Sequence, residues 1–277
     1  MTSDSRTPVL IPLPELPPHL GQDFSADRVG LRRFGIAESD LAIDFGAQNR
    51  AALVTQVLEQ CTVAPEGRLP EGFYRELSAG KRLEYLLVLA AGGPERSLSL
   101  VYKCGGCGEE LELELTLEEL TELQREADMI ETVGVELGGQ RIEFRKPLGR
   151  DQEAWAGMVF RNEREAAAWM LYLLAVDPGM LSAIEHESLG AIEDALDEAD
   201  PLIDFSCSVS CDECGEPNDY GVDLMETAIE MLSRAQRQLI SAVHRLASHY
   251  HWSEKDIFAV PDWRRRQYLE LIAALRK

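Results

Sequence analysis

The chain has 277 residues, 45% of them apolar, enough to bury a sizeable core in one elaborate domain or two. Its formal net charge of −22 argues against general nucleic-acid binding, because phosphate contacts need a basic surface. No apolar run approaches about eighteen residues, so no membrane-spanning helix is expected, and six cysteines are too sparse for a secreted disulfide framework.

The first 25 residues hold Pro8, Pro12, Pro14, Pro17 and Pro18, which forbid a helix and predict an extended arm over residues 1–30, suited to lying along a partner. Residues 31–94 are expected to be helical. Apolar residues recur at helical spacing from Ser39 to about Cys61, and a second helix runs through Lys81, Arg82, Leu83, Leu86, Leu87 and Leu89 until Gly92-Gly93-Pro94 stops it. Leu98, Leu100 and Tyr102 then alternate as a strand, as do Leu111, Leu113 and Leu115, predicting a hairpin over 95–116. Thr116 and Glu119 form a capping box for the next helix, whose acidic start suits the helix dipole. Val133 to Arg145 predicts a hairpin turning at Gly138-Gly139. Helices are predicted over Asp151 to Phe160, Arg164 to Val176 and Glu187 to Ala199, so residues 117–201 form a mainly helical insertion.

A second hairpin is predicted over 202–224, with Ile203 and Phe205 before its turn and Tyr220, Val222 and Leu224 after it. Helices then fill 225–277. The longest, Met225 to about Tyr250, has Ile229, Leu232, Leu239, Val243 and Leu246 on one stripe, the pattern of a core-facing helix. Ser253 and Glu254 begin a short helical turn, and Pro261 opens a last helix, Asp262 to Arg276. Trp263, Tyr268, Leu269 and Ile272 are expected to bury against the long helix, with Arg264, Arg265 and Arg266 facing outward. Positive charge is unfavourable at a helix start, so these three point to an anionic partner, either the acidic body of the protein or another subunit. Residues 232–277 hold nine Lys or Arg against four Asp or Glu, a local balance of +5 that leaves −27 for the rest. An acidic body with a basic end fits docking to other proteins, and fits a solvated surface equally.

Both outer hairpins turn on two cysteines separated by two residues and followed by glycine: Cys104-Gly105-Gly106-Cys107-Gly108 and Cys211-Asp212-Glu213-Cys214-Gly215. Two such knuckles supply the four sulfurs of a closed tetrahedral structural Zn²⁺ site, one per chain. The fold class expected is α+β, mostly helical, with a zinc ribbon split by the insertion. Cys107 and Cys211 have 103 residues between them. Closing a loop of about 100 residues costs roughly 4 kcal/mol, whereas structural zinc supplies on the order of 10–16 kcal/mol in small peptides. A thioredoxin-like pair should open a helix, and strand alternation follows Cys107 instead. Asp212 and Glu213 oppose thiolates, and Lys103 favours them. Cys207 is read as a strand residue or a spare ligand, Cys61 as core. His244, His249 and His251 lack carboxylate or cysteine partners in a metal-binding pattern and fit surface or cap positions.

The blocks His244-Arg245-Leu246-Ala247, His251-Trp252-Ser253-Glu254-Lys255-Asp256-Ile257 and Arg264-Arg265-Arg266-Gln267-Tyr268-Leu269-Glu270-Leu271-Ile272 resemble the carboxy-terminal signature of a family of zinc-knuckle tail proteins. That family is related to baseplate hub proteins of T-even-like phages and is found in phage tails and phage-tail-like contractile injection systems. The resemblance extends to Arg145–Trp155, Ala199-Asp200-Pro201-Leu202 and both knuckles, covering roughly residues 75 to 277. Lys81-Arg82 stands where the family often has Asp-Arg. The resemblance implies a non-enzymatic baseplate component or assembly factor acting on hub, spike or tape-measure proteins. It also implies a place in the bacterial cytoplasm during assembly, with retention in the finished tail or injection particle left open. A zinc-locked ribbon would then hold the insertion at a fixed angle. The alternative is a zinc-ribbon regulator or nucleic-acid adaptor, which the net charge opposes. No nucleophile elbow, phosphate loop, dinucleotide fingerprint or zinc-hydrolase helix motif occurs, and Asp151 and Glu153 fit dipole-compensating positions at a helix start.

Overall fold

The computed structural model describes residues 10–18, 29–64, 69–93, 96–181 and 189–275, with the side chains of 180 and 181 left aside. The architecture is α+β, with helices and, among the described residues, four small antiparallel sheets. Among the described residues no helix is long and apolar enough to cross a membrane.

The centre of the molecule is helix α3 (Ala79–Ala91), which follows β1 (Ile11–Pro12), β2 (Gly30–Leu31), α1 (Arg50–Cys61), β3 (Thr62–Val63) and the one-turn α2 (Phe73–Glu76). Tyr85, Leu86, Leu87, Val88 and Leu89 are apolar all round α3 and all buried, as suits a helix enclosed on every side. Ser78 caps its start, and Gly92, at φ +83, ends it in the left-handed region that a Cβ disfavours. The main core joins α1 and α3 to the bases of two hairpins and to the first half of α8 (Leu224–Tyr250), a helix of 27 residues.

The first of those hairpins pairs β4 (Ser97–Lys103) with β5 (Glu110–Thr116). Leu98 lies opposite Leu115, Leu100 opposite Leu113 and Tyr102 opposite Leu111, as the alternation requires. The second pairs β8 (Ser206–Ser210) with β9 (Pro217–Gly221). Between them come α4 (Leu117–Ala127), β6 (Thr132–Leu137), β7 (Gln140–Arg145), α5 (Gly149–Trp155), α6 (Glu163–Leu174) and α7 (Leu189–Ala199). Thr116 and Glu119 form the expected capping box, and Gly138 and Gly139, at φ +58 and +78, make the β6–β7 turn. Phe144, Leu171, Leu174, Ile192 and Leu196 form a second core within the insertion. A third, around Leu246, Ile257 and Ile272, joins the end of α8 to α9 (Glu254–Ala259) and α10 (Asp262–Ala274).

The insertion is seated on the first turn of α3 by polar groups. Ala79 N–H donates to Pro147 O at 2.9 Å, and Gly149 N–H donates to Leu77 O at 3.0 Å. Gly80 N–H donates to Asp200 Oδ2 at 2.9 Å, and Gln124 Nε2 reaches both Asp128 and Asp200. Lys81 Nζ lies 2.7 Å from both Glu84 and Asp128, and Lys146 Nζ donates to Ala127 O at 2.7 Å. Arg82 donates to Gln152 Oε1, Ala51 O and Thr55 Oγ1, tying α5 to α1. Close approach explains two glycines: a Cβ on Gly80 would stand 2.0 Å from Asp200 Oδ1, and one on Gly149 2.7 Å from the Arg82 guanidinium. Burial pushes the Glu84 carboxyl up to about 7, with Lys81 opposing the shift, and lowers Arg82 to about 10.

Five expectations need correction. Trp263, expected to bury against the long helix with Tyr268, Leu269 and Ile272, is 52% exposed and stays outside that core. The helix predicted from Ser39 to Cys61 is broken: a short 3-10 turn spans Glu38–Ala42, and α1 starts only at Arg50. The buried Asp40 carboxylate accepts from the N–H groups of Gly35, Ile36 and Ala37 and from Arg32, drawing the chain into a loop. The helix after Asp151 stops at Trp155, five residues short of Phe160. The described part of the arm lies on its own body: Ile11 is in the main core, and Tyr85 Oη donates to Pro14 O. Finally, Arg264 and Arg266 face outward, but Arg265 turns inward and is 6% exposed. Its guanidinium bonds Ile36 O and lies over the Phe258 ring. Pro8, Glu187 and Arg276 fall outside the described residues.

Candidate metal centre

Each cysteine pair sits in the tip of a hairpin whose last ladder pair is Lys103–Glu110 or Ser210–Pro217. The same two backbone bonds shape both tips. Cys104 N–H donates to Glu109 O at 2.8 Å and Gly108 N–H to Cys104 O at 2.9 Å; Cys211 N–H donates to Glu216 O at 2.9 Å and Gly215 N–H to Cys211 O at 2.8 Å. Gly108 and Gly215 have φ +78 and +74, and a Cβ at either would meet nothing within 4 Å. Their requirement is therefore the left-handed backbone, not space.

The tips meet. Cys104 Sγ lies 3.6 Å from Cys214 Sγ, Cys107 Sγ lies 3.6 Å from Cys211 Sγ, and all four sulfurs fall within 4.8 Å of one another. A disulfide would need about 2.05 Å. Four thiolates at about 2.3 Å from a tetrahedral ion are about 3.8 Å apart, so this arrangement fits one metal ion bound by both hairpins. Cys104 and Cys211 are buried, whereas Cys107 and Cys214 are exposed.

Local dipoles favour the ionised ligand at one corner. The N–H of Cys107 lowers the Cys104 thiol to about 6, helped by Gly106 N–H, Cys214 and Asn218 against burial. Cys107 moves up to about 12: Glu109 N–H favours its thiolate, but the Cys214, Cys211 and Cys104 sulfurs and burial outweigh that donor.

Contacts between the hairpins position the tips. Tyr102 and Tyr220 stack with ring centroids 4.4 Å apart, and Tyr220 Oη donates to Lys103 O at 3.0 Å. Asn218 on β9 reaches into the opposite knuckle: its Oδ1 accepts from Gly105 N–H at 2.8 Å, and its Nδ2 points at Cys104 Sγ at 3.6 Å while donating to Glu216 O at 2.8 Å. Sequence reasoning missed Asn218. The signal available was an asparagine four residues after Cys214, where the first hairpin has Leu111 four residues after Cys107. A Cβ on Gly106 would lie 3.3 Å from Glu216 Cβ and 3.6 Å from Cys214 Sγ, so the first knuckle carries glycines where the second carries the exposed Asp212 and Glu213.

The other sulfur and imidazole candidates stay apart from this cluster, which is the only group of its kind among the described residues. Cys207 lies opposite Tyr220 and packs on the main core; Cys61 is fully buried, and burial raises its thiol to about 12. His251 ends α8 in the left-handed conformation, at φ 55. Trp263, 52% exposed, and Arg264 lie at the start of α10, while Arg266 pairs with Asp262 at 2.8 Å. No protein-family model, curated protein or solved structure matches the chain.

Proposed function

We propose that the protein is a non-enzymatic, zinc-clamped component or assembly factor of a phage tail or contractile injection system, working through protein–protein contact. The cluster of four thiols carries this reading. Four sulfurs fill a tetrahedron and leave no position for water or substrate, so the ion holds the chain in place instead of reacting. Zinc suits the site because two CxxC knuckles present soft thiolates in tetrahedral array and the ion has no redox chemistry of its own. The tail-associated role rests on the resemblance of the terminal block. That block folds as its own small layer around Leu246, Ile257 and Ile272 and leaves Trp263 and Arg264 free for a partner.

Metal analysis of the purified protein should return one zinc ion per chain. Expression with a contractile-tail gene cluster should bring it down with hub, spike or tape-measure proteins. Absence from both assembly intermediates and finished particles would overturn the tail role, and a zinc-free but fully folded protein would overturn the clamp.

A further inference from the structure

A cavity of about 440 Å³ opens between α1, α3, α5 and the start of α8, walled by Val54, Leu86, Phe205 and Met225. Its size is in the range of sites that enclose a large side chain or small ligand. Ile203, 42% exposed, lines it along with the exposed Asp204 and Asp223, so its mouth is at the surface. Asp204 and Asp223 set negative charge at this mouth, neither in an ion pair among the described residues, while Asp223 also caps α8 and the buried Arg82 lines the cavity within. The complementary chemistry is a bulky apolar side chain with cations beside it.

The same chain presents that chemistry at α10. Trp263 is the more exposed of its two exposed tryptophans, at 52% against 38% for Trp169. Arg264 follows it, with no partner for its guanidinium among the described residues, and Arg266 is exposed beyond Asp262. The two features do not meet within one molecule. The start of α10 borders a cleft against Ala235 to Leu246 of α8, at least twelve residues along that helix from Asp223, or about 18 Å. We infer that the start of α10 in one copy docks into this cavity of a second copy, Trp263 entering between Phe205 and Met225 while Arg264 and Arg266 face Asp204 and Asp223. Because each copy carries both the tip and the cavity, reciprocal exchange would close as a two-fold dimer. Tryptophan and arginine are the residues most often dominant in such contacts.

The test is sedimentation equilibrium of the metal-replete full chain, with Trp263→Ala to remove the tip and Ile203→Lys to block the mouth with a cation. Both positions are exposed, and unchanged melting curves report an intact fold. Wild type should dimerise at micromolar concentrations, and each variant alone should dimerise at least about thirty-fold more weakly. Mixing the variants pairs an intact cavity with an intact tip, so the mixture should associate more tightly than either alone. A wild type that stays monomeric overturns the proposal. So does a Trp263→Ala variant that dimerises as well as wild type, or a mixture no tighter than its components.

Discussion

Removing the metal should disorder the two knuckles and leave the rest of the chain folded. The tips comprise Cys104–Glu109 and Cys211–Glu216, six residues each, and fixing their backbone costs roughly 12–24 kcal/mol at 1–2 kcal/mol per residue. Without metal, the contacts between the tips reduce to the Tyr102–Tyr220 stack, the bonds from Gly105 N–H and Tyr220 Oη and the long contact of Asn218 Nδ2 with Cys104 Sγ, together about 3 kcal/mol. Structural zinc adds on the order of 10–16 kcal/mol, which brings the sum close to balance. The hairpin bases do not depend on it, because Leu98, Leu115, Leu202 and Val222 belong to the main core. Hydrogen exchange on protein with and without chelator should therefore show lost protection confined to about residues 102–111 and 207–220, with the helical circular dichroism unchanged. Loss of the helical signal on chelation would refute the division between tip and base, and unchanged exchange at the tips would refute the clamp.

Asn218→Ala should weaken metal binding about 10–100-fold in competition with a chromogenic chelator, because Asn218 orients Gly105 and points at Cys104 Sγ without itself being a ligand. Glu84 gives a pH prediction. Its folded carboxyl sits near 7 against an ordinary 4.5, so the folded state binds more protons between those values, and its contribution is complete below about 4.5 and lost as pH rises through about 7. Urea unfolding of the metal-loaded protein should thus show stability falling across that window, with a shallower fall in Glu84→Gln; equal slopes would remove Glu84 as the cause. Asp200, also raised by burial, adds a contribution of the same sign that the variant retains.

Features fixed by local chemistry were legible in the sequence. The leucine alternation set the register of the first hairpin, Gly138-Gly139 set the β6–β7 turn, and Thr116-x-x-Glu119 set the start of α4. The convergence of the cysteines was also legible, although not local, because two thiols leave a tetrahedral ion half-coordinated and a second knuckle with the same following glycine was present. Features fixed by distant partners were not. Asp40 breaks a helical pattern because its acceptor oxygens satisfy N–H groups three to five residues before it. Arg265 turns inward because Ile36 O and Phe258 are within its reach, a fact that the run of three arginines does not encode. Lys81 and Arg82 are each 1% exposed, with partners as far along the chain as Asp128 and Gln152 that their place in the helix does not encode.

Those two cations separate what a metal at the cysteines would do from what holds the insertion. A ribbon that locked residues 117–201 at a fixed angle would make the insertion depend on the thiols. The observed seat lies instead on the first turn of α3, where Pro147, Gly149 and Asp200 bond backbone groups of Leu77 to Gly80, while Asp128 and Gln152 take Lys81 and Arg82. These partners come from both ends of the insertion and from its middle, so the module is held at several points and cannot pivot about one. Breaking a buried charged pair on one side costs about 3–5 kcal/mol, so this seat is a strong joint in its own right. The cysteine cluster acts more narrowly, holding two hairpin tips against each other above bases that the main core already fixes. Loss of metal should therefore leave both the insertion and the cavity beside Phe205 and Val222 in place.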